Sequence, residues 1–134
     1  MTAENRDEVS VLFVCLGNIC RSPTAHAVFQ HRVDQAGLRN KIRVDSCGTA
    51  HWHVGEPPDS RSTDEAAERG YDMTPLRGRQ LQTSDFSDFS YILAMDMSNL
   101  GNIQAQCPPG YEGHLGLFLD FAEDVNAQEL SLIH

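Results

Sequence analysis

The stretch that decides the fold is Val11-Leu12-Phe13-Val14-Cys15-Leu16-Gly17-Asn18-Ile19-Cys20-Arg21-Ser22-Pro23. It begins as a short apolar run rich in β-branched and aromatic residues, which indicates a strand buried on both faces of a parallel sheet. We predict this strand from Val9 to Cys15. After a short loop, Ser22 is predicted to cap a helix that has Pro23 at its first position and Gly37 just beyond its end. A strand that passes through a short loop into a helix indicates the first unit of an α/β fold.

The rest of the chain repeats this alternation of strand and helix. The further predicted elements are strands over 41–47, 91–95 and 115–121, and helices over about 60–69 and from a cap at Asp96 or Ser98 to Ala105. The stretch 49–59 is predicted to be a loop, and 85–90 shows only turn residues and weak periodicity. The alternation predicts a doubly wound, four-stranded parallel sheet with helices on both faces.

Length and charge restrict the classes of partner. At 134 residues with 40% hydrophobic content, the chain is predicted to form one domain over residues 1–134. The formal net charge of −9 disfavours nucleic acids and anionic membrane surfaces as partners, so any phosphate site has to be local. The polar amino terminus does not resemble a secretory signal. We therefore predict a soluble, cytoplasmic protein.

The cysteines and histidines do not follow metal-binding patterns. The four cysteines lie at positions 15, 20, 47 and 107 without paired Cys-x-x-Cys spacing, and the six histidines are scattered. The chain is also long enough to be stabilised by its core rather than by disulfides. These patterns predict no metal site, no cofactor and a reducing cellular compartment.

The loop from Cys15 to Ser22, called the cysteine loop here, lies where ligands bind in parallel sheets. The carboxyl end of a strand followed by a helix amino terminus offers unpaired backbone N–H groups to an anion. Gly17 is expected to allow close backbone approach and unusual dihedral angles, and Asn18 tolerates the left-handed region. The predicted phosphate-binding residues are Leu16, Gly17, Asn18, Ile19, Cys20, Arg21 and Ser22.

Two side chains of the cysteine loop suggest covalent chemistry. The helix amino terminus and the Arg21 guanidinium both favour the thiolate form of Cys15, which would act as a nucleophile toward phosphorus. Arg21, six residues later, can donate two hydrogen bonds to two phosphate oxygens, and the Ser22 hydroxyl can donate to the thiolate. Singly, Cys15 could be core, Arg21 a surface charge and Ser22 a helix cap. Their coincidence in eight residues favours the chemical interpretation.

The stretch from Val11 to Pro23 closely resembles the signature of the low-molecular-weight protein tyrosine phosphatases. The resemblance continues through 45–49, 52–59 and 92–99 and covers about residues 9–121. It implies hydrolysis of phosphorylated proteins or small aryl phosphates. It further implies a covalent phosphate on Cys15, a phosphoryl group held by Arg21, and a loop maintained by Asn18 and Ser22. Trp52 then resembles a wall of the substrate pocket and Asp96 a member of a supporting network, although packing and helix capping are the plainer roles of these two residues.

The sequence departs from the family near residue 130. Family members carry an Asp-Pro-Tyr segment, whose Asp protonates the leaving oxygen, and then a final helix. Leu130-Ser131-Leu132-Ile133-His134 occupies the corresponding place. Asp120, Asp124 and His134 are candidate substitute acids. We therefore expect impaired turnover, and self-association through the surface that a missing helix would leave uncovered.

Three alternatives stay open at this point. A non-catalytic phosphate- or phosphopeptide-binding domain would account for the missing acid. An arsenate reductase would need a later cysteine pair, for which only Cys47 and Cys107 are present. Cys20 lies in the same loop as Cys15, so it either fills space or forms a reversible disulfide that shields the nucleophile.

Overall fold

The structure is a computed structural model that describes residues 9–118. These residues form one parallel sheet flanked by helices. The strands are β1 (Val9–Cys15), β2 (Ile42–Gly48), β3 (Tyr91–Ala94) and β4 (His114–Leu117), and the helices are α1 (Arg21–Gln35), α2 (Ser60–Glu68), α3 (Asp85–Asp88) and α4 (Met97–Gln106). The doubly wound α/β fold predicted from the sequence is confirmed.

The order of the strands explains where a ligand can bind. The sheet is ordered β2-β1-β3-β4, so the chain adds β2 on one side of β1 and β3 on the other. All neighbouring strands are parallel. In such sheets the crevice for a ligand opens at the carboxyl ends of the strands where this reversal occurs. The end of β1, at Cys15, occupies that point.

The core lies on both faces of β1, as its uninterrupted apolar sequence requires. On the face covered by α1, Phe13 makes edge-to-face contacts with Phe29 and Phe118 at centroid distances of 5.7 and 5.3 Å. The buried cluster on the other face consists of Leu12, Val14, Cys47, Leu81, Phe86, Phe89, Ile92, Ala94 and Ile103. Helices therefore hold β1 from both sides and fix the position of the loop that follows it.

The ends of α1 and α2 show which capping signals were correct. Gly37 and Gly70 follow the two helices with φ angles of +72° and +89°, which glycine adopts without steric cost. The prediction that Ser22 caps α1 is wrong, because the helix begins at Arg21 and Cys20 occupies the capping position. Pro23 therefore lies inside the first turn, where its missing N–H leaves no hydrogen bond unmade.

Two further elements differ from the predictions. Helix α3 was not predicted, because its four residues are too few to show a helical period. Strand β4 begins at His114 and ends at Leu117, and the predicted continuation over 119–121 lies outside the described residues. Asp120, Asp124, His134 and the stretch 130–134 also lie outside them. None of the helices between Val9 and Phe118 has both the length and the apolar character that a membrane crossing requires.

Candidate active site

The backbone of the cysteine loop has its carbonyl groups bonded and several of its N–H groups without an acceptor in the described part of the chain. Its carbonyl groups at Cys15, Leu16, Ile19 and Cys20 accept hydrogen bonds from residues after β2, before α2 and within α1. The N–H of Asn18 donates to Cys15 Sγ over 3.2 Å. Within residues 9–118, no acceptor is found for the N–H groups of Leu16, Gly17, Ile19 and Cys20. Four unpaired donors beside a helix amino terminus favour a bound anion.

Asn18 is the residue that shapes this loop. Its φ of +58° makes it the one non-glycine residue with positive φ in the described part of the chain, as its tolerance of the left-handed region predicted. Gly17 does not have a positive φ, so Asn18 is the residue of this loop that adopts the left-handed backbone. Gly17 instead lies under His53, because a Cβ at position 17 would be 3.1 Å from the His53 ring.

Ser22 connects Asn18 to the cysteine. Its Oγ lies 3.0 Å from Cys15 Sγ, accepts a hydrogen bond from Asn18 Nδ2 over 2.8 Å and lies 3.2 Å from the carbonyl oxygen of Cys47. The single hydroxyl proton can point to the sulfur or to that carbonyl. When Cys15 is a thiolate, the sulfur is the stronger acceptor. Ser22 thus supports the sulfur and does not cap the helix.

Arg21 and Asp96 form an ion pair at the edge of the loop. Arg21 Nη1 lies 2.9 Å from Asp96 Oδ2, and both side chains remain partly exposed. The other oxygen of Asp96 accepts the N–H of Asn99 over 2.7 Å and caps α4. These hydrogen bonds, first from the Asn99 backbone and then from Arg21, hold the pKa of Asp96 below its usual value. Asp96 therefore both caps α4 and pairs with Arg21 beside the cysteine loop.

A pocket of about 250 Å³ opens over the cysteine loop. It is lined by Cys15, Leu16, Gly17, Ile19, Cys20, Arg21, Trp52 and His53. Trp52 is 63% exposed, so its ring is a wall of the pocket and contributes little to the core. Sequence reasoning missed His53, whose Nδ1 lies 3.0 Å from Glu56 Oε1. A lone histidine in a loop does not by itself indicate a pocket residue, although His53 lies within the stretch 52–59 that carries the family resemblance.

A larger cleft of about 890 Å³ lies at the opposite end of the sheet, near the starts of β1 and β3. Its lining includes Ser10, Arg43, Ser90 and Tyr111. None of its lining residues is a cysteine or a histidine, the side chains that could act as a nucleophile or a general base here. The chemistry therefore points to the smaller pocket.

Gly48 and Arg79 also build the site, although neither was singled out from the sequence. A Cβ at Gly48 would lie 2.7 Å from the Leu16 carbonyl oxygen, so only glycine lets the end of β2 approach the loop this closely. The N–H of Arg79 donates to Asn18 Oδ1 over 2.9 Å. Gly48 lay within a stretch that carried the family resemblance, whereas Arg79 lay outside all of those stretches.

Known proteins are similar to this chain in sequence and in architecture. The family model described as low molecular weight phosphotyrosine protein phosphatase matches residues 10–133. A low molecular weight phosphotyrosine protein phosphatase from Schizosaccharomyces pombe is 50% identical over 115 residues, which are 85% of this chain and 73% of that protein.

Two solved structures are also similar. The crystal structure of YfkJ from Bacillus subtilis aligns with a TM-score of 0.82 at 39% identity, over 89% of this chain and 75% of that one. A protein tyrosine phosphatase from Entamoeba histolytica, with Hepes in its active site, aligns with a TM-score of 0.83 at 37% identity, over 92% and 78% of the two chains. The chain therefore belongs to the low molecular weight phosphotyrosine protein phosphatase family.

Proposed function

We propose that this phosphatase hydrolyses phosphotyrosine in proteins, or small aryl phosphates, through a phosphate covalently bound to Cys15. The thiolate attacks phosphorus, an S–P bond forms, and the P–O bond to the leaving group breaks. Water then attacks the phosphorus and releases inorganic phosphate, and the sulfur leaves as thiolate. Both steps transfer a phosphoryl group at one position, so catalysis rests on holding that group and its charge.

The observation that carries this proposal is the surroundings of Cys15. Its Sγ accepts a hydrogen bond from the N–H of Asn18 and lies beside the Ser22 hydroxyl, and the loop around it has four N–H groups that find no acceptor among residues 9–118. Donors directed at one sulfur favour the thiolate, and the free N–H groups suit the equatorial oxygens of a phosphoryl group. The same loop therefore serves both the nucleophile and the group it attacks.

The other residues of the site have supporting roles in this proposal. Arg21 exchanges part of its contact with Asp96 for two parallel hydrogen bonds to phosphoryl oxygens. Trp52 presents an apolar, flat surface against which an aryl leaving group can stack. Asn18 and Ser22 hold the shape of the loop and the position of the sulfur.

The leaving oxygen needs a proton, and the 134 residues contain no Asp-Pro-Tyr segment to supply it. Proton donation of this kind typically contributes about 10²–10⁴-fold in rate. Nitrophenolate departs as a stable anion, whereas the tyrosyl oxygen is much more basic. A protein made of these 134 residues should therefore show a steep decrease of rate with leaving-group pKa. A shallow slope across substituted phenyl phosphates would mean that one of its residues supplies the proton.

Hydrolysis of an activated aryl phosphate by this chain tests the proposal. We expect measurable turnover that disappears in Cys15→Ser, while the variant still binds phosphate or vanadate. One other function needs no proton donor, namely a domain that binds phosphate groups without hydrolysing them. That alternative predicts no turnover by the unmodified chain but the same anion binding. Turnover that survives Cys15→Ser would contradict the covalent mechanism.

A further inference from the structure

Arg79 is unusual because it joins three parts of the molecule next to the cysteine loop. Its guanidinium donates from Nε to Asp45 Oδ2 over 3.1 Å and from Nη1 and Nη2 to the two oxygens of Asp85, each over 3.0 Å. Asp45 belongs to β2, and Asp85 begins α3. Two parallel hydrogen bonds to one carboxylate fix both the direction and the distance of the guanidinium.

This ion-pair cluster, Asp45–Arg79–Asp85, is costly to disturb. The Asp85 side chain is only 6% exposed, and its Oδ2 also accepts the N–H of Gln82 over 2.8 Å. Burial is the largest single effect on Arg79 and disfavours its charge, but the hydrogen bonds to Asp85 and the charges of Asp45 and Asp85 together outweigh it and hold the pKa of Arg79 above its usual value. A buried carboxylate that lost this partner would be left uncompensated. The position of the Arg79 backbone is therefore strongly determined.

Hydrogen bonds connect the Arg79 backbone to the residues around the nucleophile. The Arg79 N–H donates to Asn18 Oδ1 over 2.9 Å, and its carbonyl accepts the N–H of Gly48 over 2.8 Å. The amide of Asn18 donates in turn to Ser22 Oγ, which lies 3.0 Å from Cys15 Sγ. One chain of contacts thus leads from the ion-pair cluster through Asn18 and Ser22 to the sulfur.

We infer that Arg79 is a positioning residue for the cysteine loop: by anchoring to Asp45 and Asp85, it fixes the Asn18 side chain and thereby the donors around Cys15. The inference deepens the proposed function and rests on it for its effect on turnover. Asn18 keeps its left-handed backbone at a cost in conformational energy, so it needs contacts that compensate for that cost. The hydrogen bond from Arg79 is one of them. Arg79 itself does not line the pocket over the loop.

Arg79→Lys tests the inference, because lysine keeps the charge but cannot bond in parallel to Asp85 while reaching Asp45. At a temperature where the variant is fully folded, kcat should fall by about tenfold or more while KM stays within about threefold, as expected when a reacting group is displaced. The rate of Cys15 alkylation by iodoacetamide at fixed pH should fall as well. Arg69→Lys is the matched control, since Arg69 pairs with Glu65 on the exposed face of α2.

The two readouts separate failure of the inference from failure of the proposed function. If the unmodified chain shows no hydrolysis that depends on Cys15, the proposed function fails, but the alkylation rate still tests the role of Arg79. A purely structural role predicts a lower free energy of unfolding, with kcat and the alkylation rate both within about twofold of the parent chain. That result would overturn the inference. If Arg79→Lys does not fold, Asp45→Asn removes only the partly exposed partner and should lower the same two rates by a smaller factor.

Discussion

The carboxyl ends of β1 and β2 each hold a buried cysteine, but the surroundings of the two thiols differ. Cys15 is 4% exposed and Cys47 is 0% exposed. Cys15 Sγ has an N–H and a hydroxyl beside it and faces a pocket. Cys47 lies among apolar side chains on the other face of the sheet, and burial raises its pKa well above the usual value for a thiol.

The difference shows that burial alone does not determine the chemistry of a cysteine. An apolar environment stabilises the neutral thiol, whereas directed donors at a helix amino terminus stabilise the anion. Cys47 contacts the site through its backbone, because its carbonyl oxygen lies 3.2 Å from Ser22 Oγ. Its thiol has no such contact with Ser22. Strand β2 therefore supports the site without contributing a reactive group.

The largest expected effect concerns the reactivity of these two thiols. Iodoacetamide at neutral pH should modify Cys15 at least about a hundredfold faster than Cys47, because alkylation requires thiolate and access. Inorganic phosphate should slow the reaction at Cys15 and leave Cys47 unchanged. Mass mapping of the modified peptides over time measures both rates. Equal rates, or protection of both thiols by phosphate, would contradict the claim that only Cys15 lies in a reactive, anion-binding environment.

A second prediction sharpens the difference through Arg21. Arg21→Lys should lower kcat/KM for an activated aryl phosphate by about 10–100-fold and weaken inhibition by phosphate, because an ammonium group cannot form two parallel bonds to the phosphoryl oxygens. Steady-state kinetics with phosphate as inhibitor provide both numbers. Arg69→Lys again serves as the control. Normal phosphate inhibition in Arg21→Lys would show that the loop N–H groups hold the anion without the guanidinium.

Cys47→Ala should affect stability and leave the chemistry intact. Removing the buried sulfur leaves a small cavity and should lower the free energy of unfolding by about 1 kcal/mol. Turnover per folded molecule should stay within about twofold, because no reacting group is changed. Urea unfolding and initial rates measure the two quantities, and Cys107→Ala at a less buried site is the matched control. A large loss of turnover with unchanged stability would mean that Cys47 takes part in the reaction.

The smallest effect concerns His26, which contacts β2 one residue before Cys47. Its Nδ1 lies 3.0 Å from Ser46 Oγ, and burial holds its pKa below the usual value of 6.5, with Arg79 lowering it and Asp45 opposing the shift. As the pH falls below about 6.5, the unfolded chain takes up a proton that the folded chain resists. The free energy of unfolding should therefore decrease from pH 7 toward pH 5.

Replacing His26 by Gln should remove that part of the pH dependence. His51→Gln, at an exposed loop position, is the control and should leave the dependence unchanged. Urea unfolding at several pH values between 5 and 7.5 supplies the comparison. A slope in His26→Gln that equals that of the parent chain would show that the folded protein accommodates a charged His26.

The parts of the site that were predicted correctly are those whose causes are local in sequence. The left-handed Asn18 and the contact between Ser22 and Cys15 follow from residue types within one short loop. The parallel sheet could also be predicted, since apolar strands alternate with helices along the chain. Prediction from local sequence failed where one residue could have two roles, either as a helix cap or as a partner of the sulfur. Ser22 looked like a helix cap, but its hydroxyl turns to the sulfur instead.

What the sequence did not reveal depends on contacts between distant residues. Arg79 lies 61 positions from Asn18, and its ion pairs involve two other elements. Helix α3 is too short to show a period, and its first residue, Asp85, is held by Arg79 and by the N–H of Gln82. His53 reaches the pocket only because the loop after β2 folds over Gly17. Such contacts become visible only in three dimensions.

The central claim is that Cys15 carries the phosphoryl group during turnover. Mixing the chain with excess nitrophenyl phosphate and quenching within milliseconds, followed by mass mapping, tests this claim most directly. We predict a phosphorylated peptide that contains Cys15, with up to one phosphoryl group per molecule, that disappears as the substrate is exhausted and does not form in Cys15→Ser. Hydrolysis at an unchanged rate in Cys15→Ser, or a phosphoryl group on another residue, would contradict it.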